Sequence, residues 1–221
     1  MTAHAPPPGE RPTALLYDWD NTLVDGWAGV TAALNAVFAA FAMPAWTAED
    51  TRSRARLSLR ESFPTMFGAD WERARDLFYA TFRDQHLDHL RPMQGAAEAL
   101  AAGAAWPQGV VSNKVGNFLR AEVAHLGWAP NFRAVVGAGD AAADKPDPAP
   151  IHLALQTLGL RAEASIWYLG DTALDMQAAR AAGVTAVLIG DAGHDFGIAH
   201  AAPDIHFPSA LDVAAHFRAL A

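Results

Sequence analysis

The sequence predicts an α/β protein, with a doubly wound parallel-sheet core and a small all-helical insert. Three observations predict it. Short apolar runs recur along the chain with helical patterns between them. Several of those helices close on a glycine just before the next run. One long stretch near the N-terminus breaks the alternation with helices alone. With 221 residues, 52% of them apolar, the chain suffices for one large domain or a core plus a smaller insert.

Strands are expected at Ala14–Tyr17, Gly109–Val111, Ala134–Val136, Ile166–Leu169 and Val184–Ile189, with a weaker sixth at Asp204–Phe207. Each is short and almost wholly apolar, as strands covered on both faces are. Gly103, Gly127, Gly159 and Gly183 follow helical patterns, and the expectation is a left-handed glycine closing each helix before the chain re-enters the sheet. Between Gly26 and Pro92 no strand pattern is found. Helices are expected there at Val30–Phe41, Glu49–Arg56, Leu59–Met66 and Trp71–Leu90. The division is therefore a stiff, proline-rich polar tail over 1–12, an α/β core over 13–25 and 93–221, and a helical insert over 26–92.

Composition removes several function classes. The chain has no cysteine, which excludes a disulfide scaffold, a thiolate metal site and a cysteine nucleophile. Its net charge of −8 argues against a nucleic-acid partner, whose affinity comes largely from phosphate neutralisation. A small anionic substrate stays open, because a site can differ in sign from the whole. Apolar stretches such as 32–42 fall short of the ~20 residues that span a bilayer. The N-terminus shows no basic start followed by an apolar signal core. A soluble cytoplasmic protein with no membrane partner is expected; oligomeric state is left open.

Four motifs fall at expected strand ends, where open α/β sheets bind ligands. The first is Asp18-Trp19-Asp20-Asn21-Thr22. Two carboxylates two residues apart can divide the work of nucleophile and acid–base between them, although an Asx-rich turn would look the same. The second, Ser112-Asn113, offers a hydroxyl and an amide beside a helix start, or merely a helix cap. The third, Lys145-Pro146-Asp147-Pro148, places a lysine that no helix cap requires. Lys114 and Lys145 are the chain's two lysines, which makes an ordinary solvated role for Lys145 less natural. The fourth is Gly170-Asp171-Thr172-Ala173-Leu174-Asp175, whose two carboxylates are hard oxygen ligands suited to magnesium, or else caps of the next helix.

Together and in this order, the four motifs make the chain resemble the haloacid dehalogenase (HAD) superfamily. It looks closest to the phosphoglycolate-phosphatase-like hydrolases with a helical cap after the first motif. The resemblance runs from Thr13 to about Ala215. It implies a Rossmann-like core, Mg2+ as cofactor and a small phosphomonoester as substrate. It further implies that Asp18 is the nucleophile forming an aspartyl-phosphate, and that Asp20 is the acid that later activates water. Ser112 with Asn113 nearby, and Lys145, would bind phosphate. The Asp18 carboxylate, the Asp20 carbonyl and Asp171 would hold the metal, with Asp175 in support. Asn21 stands where many relatives have glycine, and asparagine also tolerates the left-handed conformation.

The presence of Asp20 separates the chain from the family's dehalogenases. The insert holds no lysine, which argues against the phosphonate-cleaving branch. A sugar-phosphate mutase shares all four motifs and stays as an alternative; a non-enzymatic phosphoaspartate signalling domain is a remoter one. Gly137-Ala138-Gly139 is followed too soon by Lys145-Pro146 to open a dinucleotide site. His86 and His89 are expected in packing rather than on zinc, and His194-Asp195 in a loop. The insert segment Leu57–Phe63 resembles the cap segment lining the site in related phosphatases, so Arg60 and Ser58 are candidates to contact an anionic substrate tail.

Overall fold

The computed structural model describes residues 11–54 and 59–220. The chain divides into two compact units, Met1–Val24 with Pro92–Ala221, and Asp25–Arg91. It passes between them in two short extended segments, β2 (Val24–Asp25) and β3 (Arg91–Pro92).

The larger unit is a parallel sheet of β1 (Ala14–Tyr17), β4 (Gln108–Val115), β5 (Ala134–Ala138), β6 (Ile166–Gly170), β7 (Thr185–Ile189) and β8 (Ile205–Phe207). Their spatial order is β5-β4-β1-β6-β7-β8. The helices of this unit are α5 (Ala96–Ala102), α6 (Gly116–His125), α7 (Ala149–Leu158), α8 (Ala173–Ala182) and α9 (Ile198–Ala201), with α10 (Ala210–Leu220) after the last strand. Every side chain of β1 and β6 is buried, which explains why these strands read as unbroken apolar runs. The strand order builds outward from β1 on one side and then restarts on its other side. The carboxyl ends of β1, β4 and β6 therefore surround a topological switch point.

Two local expectations need correction. Gly127, Gly159 and Gly183 do adopt positive φ, but Gly103 closes α5 at φ −81°. Its smallness serves packing instead: a Cβ there would lie 2.8 Å from Leu15 Cδ1. The second strand also runs further than its apolar stretch. β4 continues through Ser112, Asn113 and Lys114 to Val115, and its register against β5 shifts between Val111 and Val115. Such an irregularity bends the strand and re-aims the side chains it carries.

Apart from the extended ends at Asp25 and Arg91, the regular structure in the described residues of the smaller unit is helical: α1 (Trp27–Ala40), α2 (Ala48–Arg54), α3 (Leu59–Phe67) and α4 (Trp71–His89). Helix α1 packs on α4, and an aromatic chain forms the interior. Phe63 lies 5.0 Å from Phe67 and 6.0 Å from Phe78, while Phe82 stacks on His86 at 5.2 Å between ring centres. His86 is buried in this cluster, which accounts for it as packing. A buried hydroxyl pair, Thr31 and Thr51 at 2.9 Å, ties α1 to α2. The guanidinium of Arg54 pairs with Asp50 at 2.9 Å on the exposed face of α2. Ser58 lies outside the described residues, and the Arg60 side chain does as well.

Among the described residues, no helix is long and apolar enough to cross a membrane.

Candidate active site

Asp18 is the first residue past β1, and its amide donates to Leu169 O on β6 at 2.8 Å. Asn21 takes φ 61°, as the tight turn after it requires, and its amide donates to Val24 O. From the other side of β1 comes Ser112, buried on β4. From β6 comes Asp171, and from the first turn of α8 comes Asp175. One carboxylate oxygen from each of Asp18, Asp171 and Asp175 lies within 4.8 Å of the others, and all three residues are buried.

The Lys145 ammonium sits among these carboxylates. It donates to Asp18 Oδ1 at 2.7 Å, to Asp175 Oδ1 at 2.7 Å and to the Tyr168 hydroxyl at 2.9 Å. Tyr168 in turn donates to Val111 O at 2.8 Å, which fixes the hydroxyl that receives the lysine. Burial alone would lower the Lys145 pKa, but Asp175 and Asp18 overcome it and hold the ammonium well above 10.5. Burial drives Asp18 the other way. Together with the charges of Asp175 and Asp171, it pushes that carboxyl up to about 8, despite Lys145. Asp175 is also buried, yet Lys145 and Thr172 keep it below its usual value.

The two carboxylates of the fourth motif do different work. Thr172 accepts from the Asp175 amide at the start of α8, and Asp175 Oδ2 accepts from the Thr172 amide at 3.1 Å and its hydroxyl at 2.6 Å. This capping box, with Lys145 on the other oxygen, engages both oxygens of Asp175 within the protein. Asp171 Oδ1 instead accepts from the Thr22 hydroxyl at 3.0 Å. A Cβ on Gly170 would stand 2.5 Å from Asp175 Cβ, so only glycine lets Asp175 come this close to β6.

Asn113 has a different placement from the phosphate contact expected of it. Its amide group donates to Lys145 O and accepts from Lys145 N, both at 2.9 Å. It thereby grips the backbone of the lysine. Asp20 does not join the carboxylate cluster with its side chain; its Oδ1 accepts from Lys114 Nζ at 2.7 Å.

Three further residues reach the cluster that no role in the four motifs anticipates: Tyr168, Thr22 and His194. Tyr168 and Thr22 looked like ordinary strand and turn residues. His194 was expected in a loop, yet it sits in a short 3-10 turn over Gly193–Asp195 after β7, its Nε2 3.0 Å from Asp171 Oδ2. Asp195 accepts from the Ala173 amide at 2.6 Å and so secures the start of α8. The available signal was position, since the turn follows the carboxyl end of the strand beside β6.

Three hard carboxylates around one ammonium leave an excess of buried negative charge, and Asp171 presents an oxygen toward it. These residues fit a small divalent cation held through oxygen. The same arrangement, a carboxylate fixed against a lysine at a switch point, suits transfer of an anionic group.

Comparison with known proteins agrees. A family model described as haloacid dehalogenase-like hydrolase matches residues 15–189. The chain is 32% identical over 184 residues to a phosphoglycolate phosphatase of Pectobacterium atrosepticum, covering 78% of each chain. It is 30% identical over 182 residues to an N-acetylmuramic acid 6-phosphate phosphatase of Pseudomonas aeruginosa, covering 78% of this chain and 79% of the other. In fold it is similar to a predicted phosphoglycolate phosphatase from Haemophilus somnus, with a TM-score of 0.80 at 20% identity over 91% of this chain and 96% of that one. Matched along most of its length by that family and by curated phosphatases within it, the protein belongs to the haloacid dehalogenase-like hydrolases, as one of their phosphatases.

Proposed function

We propose that the protein is a magnesium-dependent phosphatase of the cell interior. It hydrolyses a small phosphomonoester through an aspartyl-phosphate, with a phosphoglycolate-like substrate favoured. The observation that carries this reading is Asp18: a buried carboxylate, fixed at 2.7 Å by Lys145, with Asp171 and Asp175 gathered beside it.

The residues divide the chemistry as follows. Lys145 and the Ser112 hydroxyl bind the phosphoryl oxygens, and Asn113 holds Lys145 in place for that contact. An Asp18 oxygen attacks phosphorus, the bond from phosphorus to the ester oxygen breaks, and Asp20 gives its proton to the departing alcohol. Asp20, now a carboxylate, takes a proton from water as that water attacks the same phosphorus. The bond to Asp18 then breaks, releasing inorganic phosphate and restoring the carboxylate. Asp18, Asp171 and the Asp20 main-chain carbonyl would hold Mg2+, with Asp175 supporting them through Lys145 and the α8 start. The ion, when bound, supplies positive charge between an anionic nucleophile and an anionic ester.

Asp18→Asn is expected to lower phosphate release by at least about 10³-fold, because the attacking carboxylate is gone while the fold stays intact. Near-normal turnover in that variant would rule out Asp18 as nucleophile. Free phosphate released from a panel of phosphoglycolate, sugar phosphates and nucleotides would separate hydrolysis from the mutase alternative. We also place substrate choice in the helical unit, at Arg60 and Ser58. Arg60→Ala should then weaken turnover of a carboxylated phosphoester more than that of a neutral one; equal losses would remove Arg60 from this role.

A further inference from the structure

Outside the Asp18 cluster, a second set of charges stands on the same sheet edge around one buried glutamate. Glu122 lies on α6 and is 1% exposed. Its Oε2 accepts from Lys114 Nζ at 2.6 Å and from Trp19 Nε1 at 2.6 Å. The same ammonium donates to Asp20 Oδ1 at 2.7 Å. Trp19 and Asp20 are neighbours in the chain, so these bonds close a ring: Trp19 to Glu122, Glu122 to Lys114, Lys114 to Asp20. Trp19 is wholly buried and packs edge-on against Trp128 at 5.9 Å, which anchors the ring. Lys114 reaches the ring from the irregular end of β4.

Stability alone does not account for this ring. A buried ion pair generally does no better than well-packed apolar residues of similar volume. What the ring achieves is geometric. Asp20 is 32% exposed in its side chain and stands just before a tight turn, so nothing in β1 itself holds its carboxylate. A lysine that answered only to Asp20 could follow it into several rotamers. A lysine pinned from behind by a buried glutamate offers Asp20 one hydrogen-bonding position.

We propose that Glu122 and Lys114 are positioning residues that aim the Asp20 carboxylate at the ester oxygen, with Oδ1 anchored and Oδ2 passing the proton. The inference rests on the reading of Asp20 as the acid in the proposed phosphatase reaction. Neither Glu122 nor Lys114 touches substrate in this assignment.

The test exploits the leaving group. Phenyl phosphate expels a poor leaving group that needs a proton, whereas 4-nitrophenyl phosphate expels one that does not. For each ester, kcat/KM reports the steps through loss of the alcohol. In the full-length protein with magnesium, Lys114→Met should lower kcat/KM on phenyl phosphate by about 10- to 100-fold and on 4-nitrophenyl phosphate by no more than about 3-fold. Glu122→Gln should show the same selectivity with a smaller loss, and Lys114→Arg should restore part of it. Thermal unfolding checks that each variant is folded; should Glu122→Gln fail to fold, Lys114→Met and Lys114→Arg carry the test. Equal losses on the two esters, or no loss, would overturn the positioning role. Asp18→Asn separates the two claims. If it abolishes turnover while the Lys114 and Glu122 variants lose both esters equally, the proposal alone is wrong. If it stays active, the phosphatase mechanism falls and this inference falls with it.

Discussion

Asp18 sits where burial, one lysine and two further carboxylates compete. With its carboxyl held up at about 8 against a usual 3.8, the folded protein keeps a proton there that the unfolded chain releases. That group's contribution to stability therefore declines as pH rises from about 4 through 8. A cation bound to the same oxygens must displace the proton, so binding strengthens over that window. Magnesium is expected to raise the thermal midpoint more at about pH 8.5 than at about pH 6. An equal shift at both values would mean that the ion does not engage Asp18. At this scale the motif residues were legible because chemistry restricts which side chains suit a strand end. The partners that fix them were not. Asn113 gripping the Lys145 backbone, Tyr168 receiving its ammonium and His194 reaching Asp171 all depend on distances set by other strands.

At the scale of elements, Gly170 shows how one residue couples a strand to the following helix. Gly170→Ala would drive a methyl into Asp175, at the N3 position of the α8 capping box. The expected cost is ~1–3 kcal/mol of stability together with lowered activity, since Asp175 also steadies Lys145. Denaturant unfolding beside a phosphatase assay checks it; a variant of normal stability and activity would contradict this packing. Strands read well here because parallel strands covered on both faces are continuously apolar. β4 exceeded its apolar run because Ser112, Asn113 and Lys114 extend the ladder with polar side chains that the site uses. Gly103 sits where a left-handed cap is expected, but the pressure on it comes from Leu15 on β1.

Across the whole molecule, the formal charge of −8 and the charge of the site have little to do with each other. Lys145 is buried and Lys114 largely covered, each between two carboxylates, instead of lying in solvent. Surface charges are screened by salt far more than buried ones. Raising ionic strength is therefore expected to increase kcat/KM for a dianionic ester, by relieving repulsion from the acidic surface while sparing the site. A steep fall with salt would instead show that exposed arginines steer the substrate. The sequence by itself determined the α/β class, the helical insert and which candidate side chains stand at the strand ends. Those follow from local periodicity and from the few side chains that can attack, protonate or neutralise. Only the tertiary structure decided which charge answers which: Lys145 to Asp18 and Asp175, Lys114 to Asp20 and Glu122, Asp171 to Thr22 and His194. The physical reason is that charge pairing falls off over a few ångströms. The strand order that brings β4 and β6 to either side of β1 sets those distances, and no local pattern in the chain encodes them.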